Sequence, residues 1–198
     1  MKHFALFDVL YLGQNLETKI NDFSINEIQI LAYLGCLLSI YEGNNSSDWG
    51  YFFSKNSSGY PYSSELNNAM AKLTSKNMIK QNSVTDEYFN TDKAGNDFVN
   101  KMSNQLSIYS NRKRYLDASL NCITLAPFGV VRTALLNEPV LTSAKRKTSV
   151  LLLEESDYAT NLLFEQFQEL RTEINNEYES LLIPAFTWLS GNLNHQIG

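Results

Sequence analysis

The segment from Ser63 to Met102 most constrains the fold, because its pattern predicts a helix, a short hairpin and a second helix. Ser63 or Ser64 is placed to cap the first helix, and apolar residues recur along it at helical spacing. These residues are Leu66, Ala69, Met70 and Leu73. A strand begins at Met78, a turn follows over residues 82–87, and a second strand returns through Tyr88 and Phe89. We expect Asn90 or Thr91 to cap the closing helix, whose buried residues would be Ala94, Phe98 and Met102.

This order of elements is typical of the second half of a winged helix. In that fold, the first helix of this half normally enters a DNA groove. The stretch EYFNTDKAGNDFVNKM resembles the wing and following helix of MarR- and PadR-type winged helices. Their pattern is tyrosine, one residue, leucine–threonine, two residues, glycine. Tyr88 and Thr91 match in place, whereas Asn90 stands where leucine is usual and Ala94 where glycine is usual. The resemblance implies a winged helix-turn-helix and, as one function, a homodimeric transcription regulator.

Two helices are predicted before this unit. The first spans Phe4 to Leu16. The second begins at Ser24, which fits a capping box with Glu27, and this helix ends before Gly43. Between Pro127 and Pro139 the period allows a short buried helix or a strand. From about Val150 to Ile183 a 3-4 apolar spacing predicts one long amphipathic helix that Pro184 should kink or break. The predicted class is mainly α with a small β-hairpin, a winged helix-turn-helix followed by a helical C-terminal region with that long helix.

Charge divides the chain into three stretches. Residues 1–103 hold 8 Lys against 11 acidic residues, residues 104–153 hold 7 basic against 2 acidic, and residues 154–198 hold Arg171 against 8 acidic. We therefore expect a winged-helix domain with N-terminal helices over 1–103 and a helical region over 104–198. The helical region would be basic over 104–153 and would carry the acidic long helix over 154–198.

Aromatic residues are dense between positions 49 and 62. Such residues either wrap a small core or form a contact surface, since Tyr and Trp dominate interface hot spots. The long apolar stripe near the C-terminus likewise favours a bundle, a homo-oligomer through the C-terminal helices, or a partner-binding helix. The candidate partner contacts are Trp49, Tyr51, Phe53, Tyr60, Phe167, Tyr178 and Trp188.

Nothing in the sequence suggests catalytic chemistry. His3 and His195 stand near opposite ends, and no metal-ligand spacing or glycine-rich phosphate loop is present. Cys36 and Cys122 lie among apolar residues, as expected of buried free thiols in a reducing cytoplasm. Asp8 interrupts the apolar start, and no apolar run has the roughly 20 residues of a membrane span. We expect a cytoplasmic protein that is not an enzyme, with no cofactor, no metal and no membrane contact.

DNA binding needs cations that neutralise phosphates. In the first helix Asn67 and Asn68 could also reach adenine edges, but Glu65, Asp86 and Glu87 would face the same phosphates. If the basic runs 112–114 and 145–147 folded onto one side, they would form a groove for DNA without sequence preference. The candidate DNA contacts are Lys72, Lys76, Lys80, Arg112, Lys113, Arg114, Lys145, Arg146 and Lys147.

A second resemblance concerns the layout of the whole chain. An apolar pair of helices precedes WGYFF and GYPYSSEL, then come a helix ending in NMI, a wing, and a tail containing PFGVVRTALLNEP. This layout is similar to the small middle components of bacterial ABC three-component systems, including the Lamassu anti-phage type. The resemblance implies a non-catalytic adaptor subunit beside an SMC-like ATPase and an effector, often a nuclease, in anti-phage or anti-plasmid defence. Its partners would be those proteins and, without sequence preference, double-stranded DNA.

Overall fold

The computed structural model describes residues 3–82, 87–145, 147, 150–174 and 180–194, and they are mainly helical. The helices are α1 (Phe4–Ile20), α2 (Ile25–Tyr41), α3 (Ser64–Ser75), α4 (Lys93–Gln105), α5 (Ser107–Leu125), α6 (Phe128–Leu136), α7 (Pro139–Ala144), α8 (Tyr158–Ile174) and α9 (Leu182–Asn194), with a 3-10 turn at Ser46–Trp49. The strands form two antiparallel pairs, β1 (Ser54–Lys55) with β2 (Pro61–Tyr62) and β3 (Ile79–Gln81) with β4 (Phe89–Thr91).

The predicted start of α2 is confirmed. The Glu27 N–H donates to Ser24 Oγ at 3.3 Å, and the Ser24 N–H donates to Glu27 Oε2 at 2.7 Å. This capping box satisfies two backbone donors that the first turn leaves open. At the other end α2 stops at Tyr41, and Gly43 adopts φ +95°, a conformation that glycine reaches without strain.

The predicted helix, hairpin and helix are present as α3, β3–β4 and α4. Ile79 pairs with Thr91, and Phe23 adds a further bridge to the hairpin. The Phe23 N–H donates to Phe89 O at 3.1 Å, and the Phe89 N–H donates to Phe23 O at 2.8 Å. The hairpin is thereby tied to the connection between α1 and α2.

The predicted start and inward face of α4 are wrong by one or two residues. Neither Asn90 nor Thr91 caps the helix, because their side chains bond elsewhere. Asn90 Nδ2 donates to Asp22 Oδ1 in the α1–α2 connection at 2.6 Å, and Thr91 Oγ1 donates to Glu17 Oε2 of α1 at 2.9 Å. Asp92 takes the cap position instead. The buried residues are Gly95 and Val99, whereas the predicted Ala94 and Phe98 are exposed.

The predicted long helix from Val150 to Ile183 is also wrong. Residues 150–152 run beside β1, where the Lys55 N–H donates to Val150 O at 3.2 Å and the Leu152 N–H donates to Phe53 O at 2.8 Å. Backbone groups engaged in this way cannot start a helix, and α8 begins only at Tyr158. Pro184 lies in the first turn of α9, where proline is tolerated, and does not kink a longer helix. Between Pro127 and Pro139 the chain forms the helix α6.

One hydrophobic core includes residues from both predicted domains. The helix α5 packs against α1 and α2, and its residues Leu116, Leu120 and Cys122 are buried. The boundary predicted at residue 103 therefore does not separate two cores. Among the described residues, no single helix is long and apolar enough to cross a membrane. The helices α5 and α6 together have the length and composition of a membrane span, but the pair is bent by 116° where the two helices meet.

Candidate partner-binding groove

The polar face of α3 is largely committed to contacts within the chain. Gln29 Nε2 donates to Asn67 Oδ1 at 3.1 Å, and Asn67 Nδ2 donates to Tyr62 Oη at 3.3 Å. The Glu65 carboxylate accepts the hydroxyl groups of Ser63 and Ser64, each at 3.0 Å. Each end of the Asn67 amide thus already makes a hydrogen bond within the chain.

The basic run 112–114 does not form one surface. Arg112 is only 5% exposed and makes two 2.6 Å hydrogen bonds to the buried carboxylate of Asp8. Its guanidinium also donates to Trp49 O at 2.7 Å and lies 3.7 Å from the centroid of that indole. Arg112 is thus a core residue, and its assignment as a DNA contact is wrong. Lys113 lies 5.7 Å from the Tyr11 ring, while Arg114 pairs with Glu42.

The remaining cations are spread over several elements. Lys72 and Lys76 are exposed on α3, and Lys80 on β3 pairs with Asp92 at 2.6 Å. Lys145 is exposed at the end of α7, and Lys147 lies 3.6 Å from Asp157. Arg146 lies outside the described residues. Of the two basic runs, 112–114 thus lies within α5, while Lys145 and Lys147 follow α7.

Five of the seven candidate partner contacts are buried. Trp49, Tyr51 and Phe53 are at most 4% exposed, and the Tyr51 hydroxyl donates to Asp8. Phe167 and Trp188 pack on each other with ring centroids 5.2 Å apart. These residues form core, which was the alternative left open by the sequence, so their assignment as surface contacts is corrected. Tyr178 lies outside the described residues.

Tyr60 remains partly exposed and lines a cavity of about 550 Å³. The cavity lies between the start of α2, the hairpin β3–β4 and α6. Its apolar lining comes from Ile25, Phe89 and Phe128, and Arg132 stands at its edge with its guanidinium 5.9 Å from the Tyr60 ring centroid. The side chain of Glu27 also lines it, but that carboxylate is held in the capping box of α2.

A second cavity of about 530 Å³ adjoins the first and lies along α3. Ile25 and Phe89 line both cavities, and we call the two neighbouring cavities together the groove. On the α3 side its other described lining residues are Asn67, Met70, Ala71, Thr74 and Ser75. None of these is Lys or Arg. The groove is therefore lined by both apolar and polar side chains, a mixture usual at protein interfaces.

Two chemical features of the described residues concern metal ligands and thiols. They hold no group of three His, Cys, Asp or Glu placed to bind a metal ion. Burial raises the pKa of the thiols of Cys36 and Cys122 to about 12, so both are protonated at neutral pH and poor nucleophiles.

Of the groove residues, the sequence had singled out Tyr60 as a partner contact. Sequence patterns did not identify Ala71, Phe128 and Arg132 as groove residues. Helical periodicity shows which face of a helix points outward, but not that separate helices and a hairpin leave a depression between them. Comparison with family models, curated proteins and solved structures finds no match for this chain.

Proposed function

We propose that this protein is a non-catalytic winged-helix adaptor that binds a protein partner through the groove. One observation carries the proposal. Beside α3 and the hairpin, where a winged helix that reads DNA would place the duplex, the surface is an apolar groove whose α3 side has no Lys or Arg among its described lining residues. A phosphate backbone needs cations there, whereas an apolar segment of a protein does not.

The order of elements supports the winged-helix part of the proposal. A helix (α1), a one-residue bridge at Phe23, two helices (α2 and α3) and the hairpin β3–β4 follow one another as in that fold. In this interpretation Phe23 replaces the first strand of the wing sheet. Residues 42–63, which include the hairpin β1–β2, are then an insertion between the two helices of the helix-turn-helix.

The resemblance of layout supplies the class of partner. We propose an SMC-like ATPase and its effector in a bacterial defence complex, with the adaptor contributing contacts and no chemistry. Double-stranded DNA would be a secondary ligand of Lys72 and Lys76, bound weakly and without sequence preference, because Glu65 shares α3 with Lys72 and Glu87 lies between β3 and β4 of the hairpin.

Co-expression with the products of adjacent genes tests this proposal. Ala71 is an exposed groove residue, and Asn68 is an exposed residue of α3 that lines a different cavity. We expect Ala71→Arg to reduce the recovered partner about tenfold or more, since an unpaired cation is costly in an apolar interface. The matched variant Asn68→Arg should recover it like the wild type. Equal recovery from both variants, or a wild type that purifies alone, contradicts the proposal.

The competing candidate is a homodimeric MarR- or PadR-like regulator, favoured by the exposure of Lys72 and Lys76 on α3. It requires tight, sequence-selective binding to the upstream region of its own gene, weakened by Lys72→Ala. A gel shift over a salt series distinguishes the two candidates, because the adaptor should show only weak, unselective binding that salt removes.

A further inference from the structure

Glu138 is a carboxylate buried at the corner between α6 and α7, with no exposed surface. It accepts the N–H groups of Val140 at 2.7 Å and Leu141 at 2.6 Å, and so caps the start of α7. Its third donor is the hydroxyl of Tyr33 on α2, at 3.0 Å. The Glu138 side chain therefore ties the start of α7 to Tyr33 of α2.

No cation pairs with Glu138 among the described residues. The titratable groups on its α2 side are Tyr33 and, beside that tyrosine, Cys36, and both are fully buried and protonated. From α8, which packs on α7, the residues that reach the core are uncharged: Ala159, Thr160, Leu163, Phe167 and Leu170. A buried carboxylate without a counter-ion is costly in its charged form. Burial outweighs the three donors and raises the pKa of Glu138 to about 7.

We propose that Glu138 is a single-proton switch that makes the corner between α6 and α7, and with it the α6 wall of the groove, more stable when its carboxyl group is protonated. In the ionised state the Tyr33 hydroxyl donates to Glu138 Oε1. When a proton from solvent binds Oε1, the Tyr33 hydroxyl hydrogen turns away from the carboxyl group and the new O–H donates to Tyr33 Oη. The two backbone donors of α7 stay bonded. The link to the groove rests on the proposed function, because α6 carries Phe128 and Arg132.

Direct titration tests the switch on the full chain. The side-chain carboxyl carbon of Glu138 is followed by NMR from pH 4 to pH 9 and assigned by its absence in Glu138→Gln. We expect its midpoint near 7, whereas the ordinary pKa of a glutamate side chain is about 4.3. A Glu138 midpoint below about 5 would overturn the proposal, since the group would then be ionised throughout the neutral range.

The consequence for stability has a definite sign. The pKa of Glu138 is higher in the folded chain than in the unfolded one, so the stabilisation is complete below about pH 4.5 and is lost as pH rises toward 7. Relative to Glu138→Gln, the unfolding constant of the wild type should rise by up to about tenfold per pH unit across that window. Parallel profiles for the two proteins would also overturn the proposal.

Tyr33→Phe gives a second test if Glu138→Gln fails to fold. Because the tyrosine hydroxyl donates to the ionised form, its removal should move the Glu138 midpoint to higher pH. An unchanged or lower midpoint in Tyr33→Phe contradicts the arrangement. Both measurements use the isolated chain, so they can succeed when no partner binds the groove. Partner binding that is the same at pH 6 and pH 8 would remove the link to the groove but not the titration.

Discussion

At the scale of single residues, the ion pair of Asp8 and Arg112 is the contact most sensitive to substitution. Both side chains are buried and joined by two hydrogen bonds, so Arg112→Met would leave an uncompensated carboxylate in the core. We expect a loss of about 3–5 kcal/mol in the free energy of unfolding, measured by urea denaturation. Arg114→Met removes an exposed pair with Glu42 and should cost less than about 1 kcal/mol. Equal losses from the two variants would contradict this assignment.

The run Arg112–Arg114 shows where residue-level inference from sequence fails. The three adjacent residues are all cationic and cannot be distinguished by charge, yet one is buried in the core and two lie at the surface. Two signals could have found the buried one. Arg112 lies three residues after Tyr109 and four before Leu116, both on the apolar stripe of α5, and Asp8 is a lone acid within an apolar helix. That each of these charged residues needs a buried partner was predictable. That they pair with each other depends on how α1 packs against α5, and local sequence patterns do not show how two distant helices pack.

At the scale of elements, Gly95 sets how closely α4 approaches the hairpin. A Cβ atom there would lie 2.4 Å from the carbonyl oxygen of Met78 and 2.9 Å from Leu10 Cδ2. Gly95→Ala must therefore shift backbone, and we expect it to cost about 1–3 kcal/mol despite the better helix propensity of alanine. The control is Gly191→Ala in α9, where nothing lies within 4 Å and stability should rise by up to about 1 kcal/mol. Urea denaturation of both variants measures the difference, and a stabilising Gly95→Ala would contradict the close approach.

The same helix shows how far element prediction reaches. The presence of α3, the hairpin and α4 followed from periodicity and turn residues, since those signals are local. The start of α4 did not, because Asn90 and Thr91 are good capping residues whose side chains instead bond to Asp22 and Glu17. Local propensity cannot anticipate a distant acceptor. A glycine was expected at position 94 from the regulator pattern, and the neighbouring Gly95 makes the close contact here.

At the scale of the whole molecule, the apolar stripes were predictable but the surfaces they contact were not. Phe167 and Trp188 do lie on apolar helix faces. The sequence left open whether such a face meets a partner, a second copy or the chain itself, because a hydrophobic period is the same in all three cases. In the structure α9 packs against α5, α6 and α8.

A core shared by residues on both sides of position 103 should unfold as one unit. The two tryptophans are suited to this test, because Trp49 lies before that position and Trp188 after it, and both are buried. In Trp49→Phe and in Trp188→Phe, we expect the fluorescence of the remaining tryptophan and the far-ultraviolet circular dichroism to change at the same urea concentration. The fragment 1–103 should show no cooperative transition, since it lacks the α5 residues that fill the core against α1 and α2. Separate midpoints for the two tryptophans, or a cooperatively folding fragment, would instead support two domains divided near residue 103.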